Sequence, residues 1–196
     1  MNTFSVPNWE RFLQATPQIA FVELDWKDPK TIESSLAQVG TFTSQVVLTL
    51  HSSAADLLWM PKEVAMATEL LDSAIAAAQF RNLAIAICPT AAGFPSDIPS
   101  TLSFLRTRSS QAIGMVLEPA ALLTASMLET APVYFERMKS SLLTHERLVG
   151  FVHSNRKWSD GVSARTSPDN GDIPRNFLDH LHAQVPSHAW IATVQT

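Results

Sequence analysis

Six short apolar runs punctuate the chain: Ile19–Leu24, Val46–Leu50, Leu83–Ile87, Ile113–Leu117, Leu148–Val152 and Trp190–Val194. Each is mostly apolar at both alternating positions, the mark of a strand buried on two faces. Between them the period changes to three and four. Val64, Ala67, Leu71, Ala74, Ile75 and Ala78 form one helical stripe, with Pro61 suited to its first turn. Asp28-Pro29 gives a second helix start, with Asp as the cap. Phe177, Leu178, Leu181 and Val185 mark a last helix, begun near Asp172 and Pro174. Residues Ala121–Leu143 read as helical with a break at Pro132. Residues Ser159–Gly171 have neither period and read as a loop.

Strands alternating with helices predict a parallel sheet covered by helices. No linker or repeat divides the chain, so residues 1–196 are expected to form one domain. The strand ends carry the candidate chemistry. The first run closes on Glu23 and Asp25, the second on His51 and the third on Cys88. The fourth closes on Glu118, the fifth on His153 and Asn155, and the sixth on Gln195. In a parallel sheet all these ends point one way, so six polar or reactive positions gather at one mouth.

Composition narrows the chemistry. The net charge is −4, with only 16% charged residues, which gives no electrostatic reason to bind nucleic acid or a membrane surface. One cysteine excludes an intrachain disulfide and a CxxC pair. No two glycines are separated by a single residue, so the dinucleotide fingerprint is absent; the P-loop, HExxH and GxSxG motifs are absent too. The N-terminus MNTFSVPNWERF has no basic and apolar leader pattern, and the expected location is the cytoplasm.

Several segments together resemble the xylose-isomerase-like superfamily of sugar-phosphate isomerases, epimerases and apurinic endonucleases. LVGFVHSNRKW followed by PDNGDIPRNFLDHL is similar to the family's late strand, Gly-containing loop and helix start. AIGMVLEPAALL, FVELD and MATELLDSAIAAAQFRNLAIAICP resemble its other strand ends. The resemblance implies a parallel (β/α) barrel-like α/β fold of TIM-barrel type. A full barrel needs about 250 residues. With six recognisable strands, either strands go unread in the N-terminal part or the barrel is incomplete. An open barrel leaves edges to be covered, which motivates a homodimer.

The resemblance also implies a divalent metal held at the ends of the last four strands. Those positions carry Cys88, Glu118, His153 with Asn155, and Gln195. Only Glu118 and His153 are ordinary ligands, so a hard cation loses most of its attraction. Two outcomes stand open: a weak zinc or manganese site on Glu118 and His153, with Cys88 as a further zinc ligand, or no metal. By the same resemblance an active enzyme would isomerise or epimerise a sugar or sugar phosphate. Glu23 or Glu118 would be the general base and His153 a ligand or acid.

Other residues have plainer readings beside the functional one. Trp26, Trp59 and Trp158 wall a sugar-sized pocket or cap the core. His51, Cys88, Asn155, Arg156 and Gln195 contact a ligand or sit as ordinary strand-end groups, and Cys88 reads first as a small buried hydrophobe. Arg165 and Arg175 contact phosphate or belong to a solvated loop, and His180 and His182 read as surface residues. Two alternatives accompany the sugar-binding reading. One is a non-catalytic scaffold or protein-interaction module that has lost the metal. The other is a doubly wound sheet with its ligand at a switch point.

Overall fold

The computed structural model describes residues 19–26, 43, 45–51, 60–159 and 162–195, with the helical positions Ile32, Ser35, Leu36 and Val39. Trp59 lies outside the described residues, as does the helix start at Asp28-Pro29. The strands are β1 (Ile19–Asp25), β2 (Gln45–His51), β3 (Ala84–Ile87), β4 (Gly93–Phe94), β5 (Ile113–Leu117), β6 (Leu148–His153), β7 (Asn155–Ser159), β8 (Val162–Thr166) and β9 (Trp190–Thr193). The helices are α1 (Pro61–Phe80), α2 (Ile98–Thr107), α3 (Ala131–Met138) and α4 (Arg175–His182).

Six strands pair in parallel in the order β1-β2-β3-β5-β6-β9, and β4 adds two antiparallel residues to β2. Each new strand joins the edge left by the one before it. Among the described strands the order never reverses and there is no switch point, which is at odds with the doubly wound reading. This is the single winding of a TIM-type barrel, present as a curled part-barrel. Among the described residues no ladder joins β9 to β1.

The two faces of the sheet carry different side chains. Val22, Leu24, Leu48, Leu50, Ile85, Ile87, Met115, Leu117 and Phe151 face the helices and form the large core. The concave face holds smaller residues: Ile19, Val47, Ala86, Cys88, Val116, Val152 and Val194. Small and branched side chains suit the tighter inner curve. At its foot Phe21 of β1 meets Trp190 of β9 edge to face at 6.2 Å, so side chains bring the first and last strands together where backbone pairing does not. Gly150 makes that possible, since a Cβ there would stand 2.3 Å from the Trp190 indole.

The elements agree with the sequence pattern in part. The six strands fall on the six apolar runs, within one residue at most ends. α1 begins at Pro61 and buries Ala67, Leu71, Ala74, Ile75 and Ala78, most of the expected stripe. The segment expected to be one broken helix is a 3-10 turn over Pro119–Leu122, a second over Ala125–Thr130, then α3 and a π-turn over Lys139–Leu143. Pro132 does not break a helix. It sits at the start of α3, where its missing N–H costs nothing. The segment expected to be a loop holds the last residue of β7 and all of β8, while Ser167–Gly171 does form turns. α2 is not announced by hydrophobic period, although Asp97 and Ser100 form a reciprocal capping box at its start.

Candidate functional site

Side-chain alternation decides which residues reach the mouth. Glu23 shares the concave face of β1 with Ile19 and Phe21, and Thr49 and His51 share that of β2 with Val47. Beyond Val116 and Val152, the same alternation brings Glu118 and Ser154 onto the concave side. The β7–β8 hairpin closes over this end. A cavity of about 820 Å³ opens there, lined on one side by Glu23, Thr49, His51 and Thr90. The hairpin supplies Arg156, Trp158, Ser163 and Arg165, and the turns after β5 supply Leu123, Thr124 and Ser126.

Glu118 is the electrostatic centre beneath this cavity, and it is fully buried. Arg165 donates to both its oxygens, from Nε at 2.7 Å and Nη2 at 2.5 Å. Ser154 donates from Oγ at 2.8 Å, and Arg156 Nη2 lies 3.7 Å away. Burial pushes the Glu118 pKa up. Arg165, then Arg156, and the hydrogen bonds outweigh that and hold it at about 2. Glu118 is therefore a fixed counter-ion, poorly suited to take a proton at neutral pH. Cys88 sits next along the concave face, where burial raises its thiol pKa to about 12. It stays protonated among Val47, Val116 and Val152.

His153 does not meet Glu118. It follows Val152 by one residue, so it turns to the helix-covered face of β6. There it stacks on His182 of α4 with ring centroids 4.6 Å apart, and its Nε2 lies 3.1 Å from Asp179 Oδ1. His182 in turn stacks on Phe151. His182 is thus packed rather than a surface residue, while His180 is exposed. Asn155 is buried but structural. Its amide nitrogen donates to the carbonyls of Pro168 and Ile173, and its oxygen accepts from the backbone N–H groups of Arg156 and Ile173. Gln195 joins His153, Asp169, Arg175, Asp179 and His182 around a separate hollow of about 590 Å³. Trp26 packs in the helix-side core and donates to Glu63 Oε2 at 3.1 Å, away from the mouth.

Of the expected site residues, the structure brings Glu23, His51, Trp158 and Arg156 to one cavity, with Glu118 beneath it. Thr49, Thr90, Ser163 and Arg165 are added to it. The metal that the resemblance implies does not fit these residues. Guanidinium nitrogens hold both oxygens of Glu118, Cys88 is buried among Val47, Val116 and Val152, and His153 faces the other way. Among the described residues no three His, Cys, Asp or Glu side chains converge on a point that could hold a metal ion.

The His153 cluster makes acid the sensitive direction. Burial lowers the His153 pKa from its usual 6.5, helped by His182, against the pull of Asp179. The folded state therefore binds its proton less readily than the unfolded chain. This contribution is complete above pH 6.5 and is lost as pH falls through the folded value. The melting temperature should decline on acidification from pH 7.5 to 5. His153→Phe, which keeps a ring beside Phe151 and His182, should flatten that decline in a thermal-melt series.

No family model matches the sequence, and no curated protein matches it. Solved structures do match. The chain is similar to the IolI protein with a bound zinc atom, at 11% identity and a TM-score of 0.61, over 96% of this chain and 71% of that one. It is also similar to 3-keto-D-glucoside 4-epimerase YcjR from E. coli, at 10% identity and a TM-score of 0.53, over 94% and 75% of the two chains. A third is a xylose isomerase-like TIM barrel protein from Mycobacterium smegmatis in complex with magnesium. That match has 10% identity and a TM-score of 0.52, over 84% and 59%. The chain shares the TIM-barrel fold of these structures, in a form with six parallel barrel strands among the described residues. No helix among those residues is long and apolar enough to cross a membrane.

Proposed function

We propose that the mouth cavity binds a sugar-like, polyhydroxylated small molecule without the help of a divalent metal. The observation that carries this reading is the wall of the cavity itself. It offers hydroxyl groups from Thr49, Thr90, Thr124 and Ser163, each able to donate and accept. Trp158 adds an indole for the apolar face of a sugar ring. A volume of about 820 Å³ is ample for a monosaccharide or disaccharide. The similarity to a keto-glucoside epimerase supports the same ligand class through the fold.

The binding reading is favoured over metal-dependent isomerisation because Glu118 is already neutralised by arginine. A catalytic version would rest on Glu23 and His51, the titratable cavity-wall groups outside that ion pair. The test is ligand-observed NMR with a panel of free aldoses, ketoses and polyols, each with and without EDTA. Binding should persist in EDTA and weaken about tenfold in Trp158→Ala, the loss expected for one stacked ring. Failure of every panel member to bind, or binding only with added Mn²⁺ or Zn²⁺, would overturn the proposal.

A further inference from the structure

We propose that the cavity selects an uncharged sugar or polyol over its phosphate ester, because the guanidinium groups facing it are already matched by carboxylates. This inference rests on the sugar-like reading above and sets the charge class of the ligand.

Arg156 and Arg165 are direct cross-strand partners in the β7–β8 ladder. Like charges placed opposite each other repel, so the pair needs an anion nearby. Glu118 supplies it, bonded to Arg165 through both oxygens and 3.7 Å from Arg156. Glu23 brings a second carboxylate to the same cavity, and Asp25 follows on the same face of β1. The two guanidinium charges thus share the Glu118 carboxylate, with Glu23 on the wall of the same cavity. Arg156 Nη1 bonds Ser163 Oγ and Arg165 gives Nε and Nη2 to Glu118, while Arg156 Nε is buried without a partner among the described residues.

A phosphate monoester brings roughly −1.5 to −2 charges and three strong acceptor oxygens. Tight binding of such a group takes guanidinium or ammonium donors pointed at it. Here it would have to displace Glu118 from Arg165 and leave that carboxylate buried without its partner, a costly exchange. An uncharged polyol makes no such demand. Its hydroxyls exchange hydrogen bonds with Ser and Thr and leave the ion pair intact.

Calorimetry in metal-free buffer on the intact protein tests this with matched pairs, each a free sugar from the binding panel and its phosphate monoester. Inorganic phosphate serves as a bare charge probe. The free sugar should bind at least about tenfold more tightly than its ester, and inorganic phosphate should not compete. Glu118→Gln frees both guanidiniums and should reverse the preference. Glu23→Gln leaves the Glu118 ion pair in place and should narrow the gap in the same direction, which keeps a second variant in hand if Glu118→Gln does not fold. Wild-type protein that binds the ester as tightly as the sugar, or more tightly, overturns the charge inference and leaves the sugar-like reading standing. If neither member of any pair binds, both fall.

Discussion

Replacing Glu118 with Ala is expected to cost about 3–5 kcal/mol of stability, the largest effect of any single substitution at the mouth. The cost does not measure the worth of the ion pair. It measures what is left behind, since Arg165, its side chain 21% exposed, and Arg156 would both lose the carboxylate they share. Urea unfolding at pH 7 reads this directly. The double variant Glu118→Leu with Arg165→Met should recover most of the loss, because a buried pair replaced by apolar groups of similar volume is often close to neutral. A double variant as unstable as the single one would show that the cost comes from packing and not from charge. Acid gives an independent check. The folded Glu118 pKa is about 2, below its ordinary value of 4.5, so its contribution is present above pH 4.5 and disappears as pH falls toward 2. The Glu118→Leu variant should lack that part of the acid-induced loss.

The second large effect is expected at Asn155. One buried amide serves four backbone groups and ties the start of β7 to the segment carrying Pro168 and Ile173. Gly171 completes the joint, since a Cβ there would stand 2.2 Å from the Asn155 side chain. Asn155→Ala should cost about 3 kcal/mol, the scale for stranding buried donors and acceptors. The loss should be local before it is global. Hydrogen exchange should rise first in residues 167–174 and at the Arg156 and Trp158 amides, because the Arg156 N–H donates to Asn155 Oδ1 and the Trp158 N–H to Asp172 Oδ2. Uniform loss of protection along β1 to β6 would contradict this view of Asn155 as a joint.

These residues also show what the sequence discloses and what it hides. The six strands are legible because burial on two faces writes a continuous apolar run. That same continuity hides which face each residue takes. In Leu148–Val152 every side-chain-bearing position is apolar, so nothing in the run tells whether His153 turns inward or outward. The ladder slips between Met115 and Val116 as well, which disturbs any count of alternation from neighbouring strands. Glu23, His51 and Glu118 end runs in which alternation holds, and they reach the concave side as a strand-end reading expects.

The β7–β8 hairpin is illegible for a different reason. Its strands are five residues long and partly exposed, so they carry little hydrophobic signal. What holds them is Asp172 and Asn155, acting across 13 to 18 positions of sequence. Arg165 could be read as a surface charge until the fold set it against Glu118. The signal that points to it is indirect: a buried strand ending in a lone Glu needs a cation, and the late basic residues are the nearest supply.

The order of the chain gives that ion pair a history. Each parallel strand pairs with the one made before it, so the sheet through β5 can assemble as the polypeptide emerges from the ribosome. Glu118 closes β5, but Arg156 and Arg165 follow it by 38 and 47 residues. During that interval the carboxylate has no counter-ion, and desolvation alone would favour its protonated form. Sealing the mouth must wait for the hairpin, and the carboxyl group must stay wet or keep its proton until then. Docking of β7 and β8 is therefore the step that lets Glu118 be buried as a carboxylate.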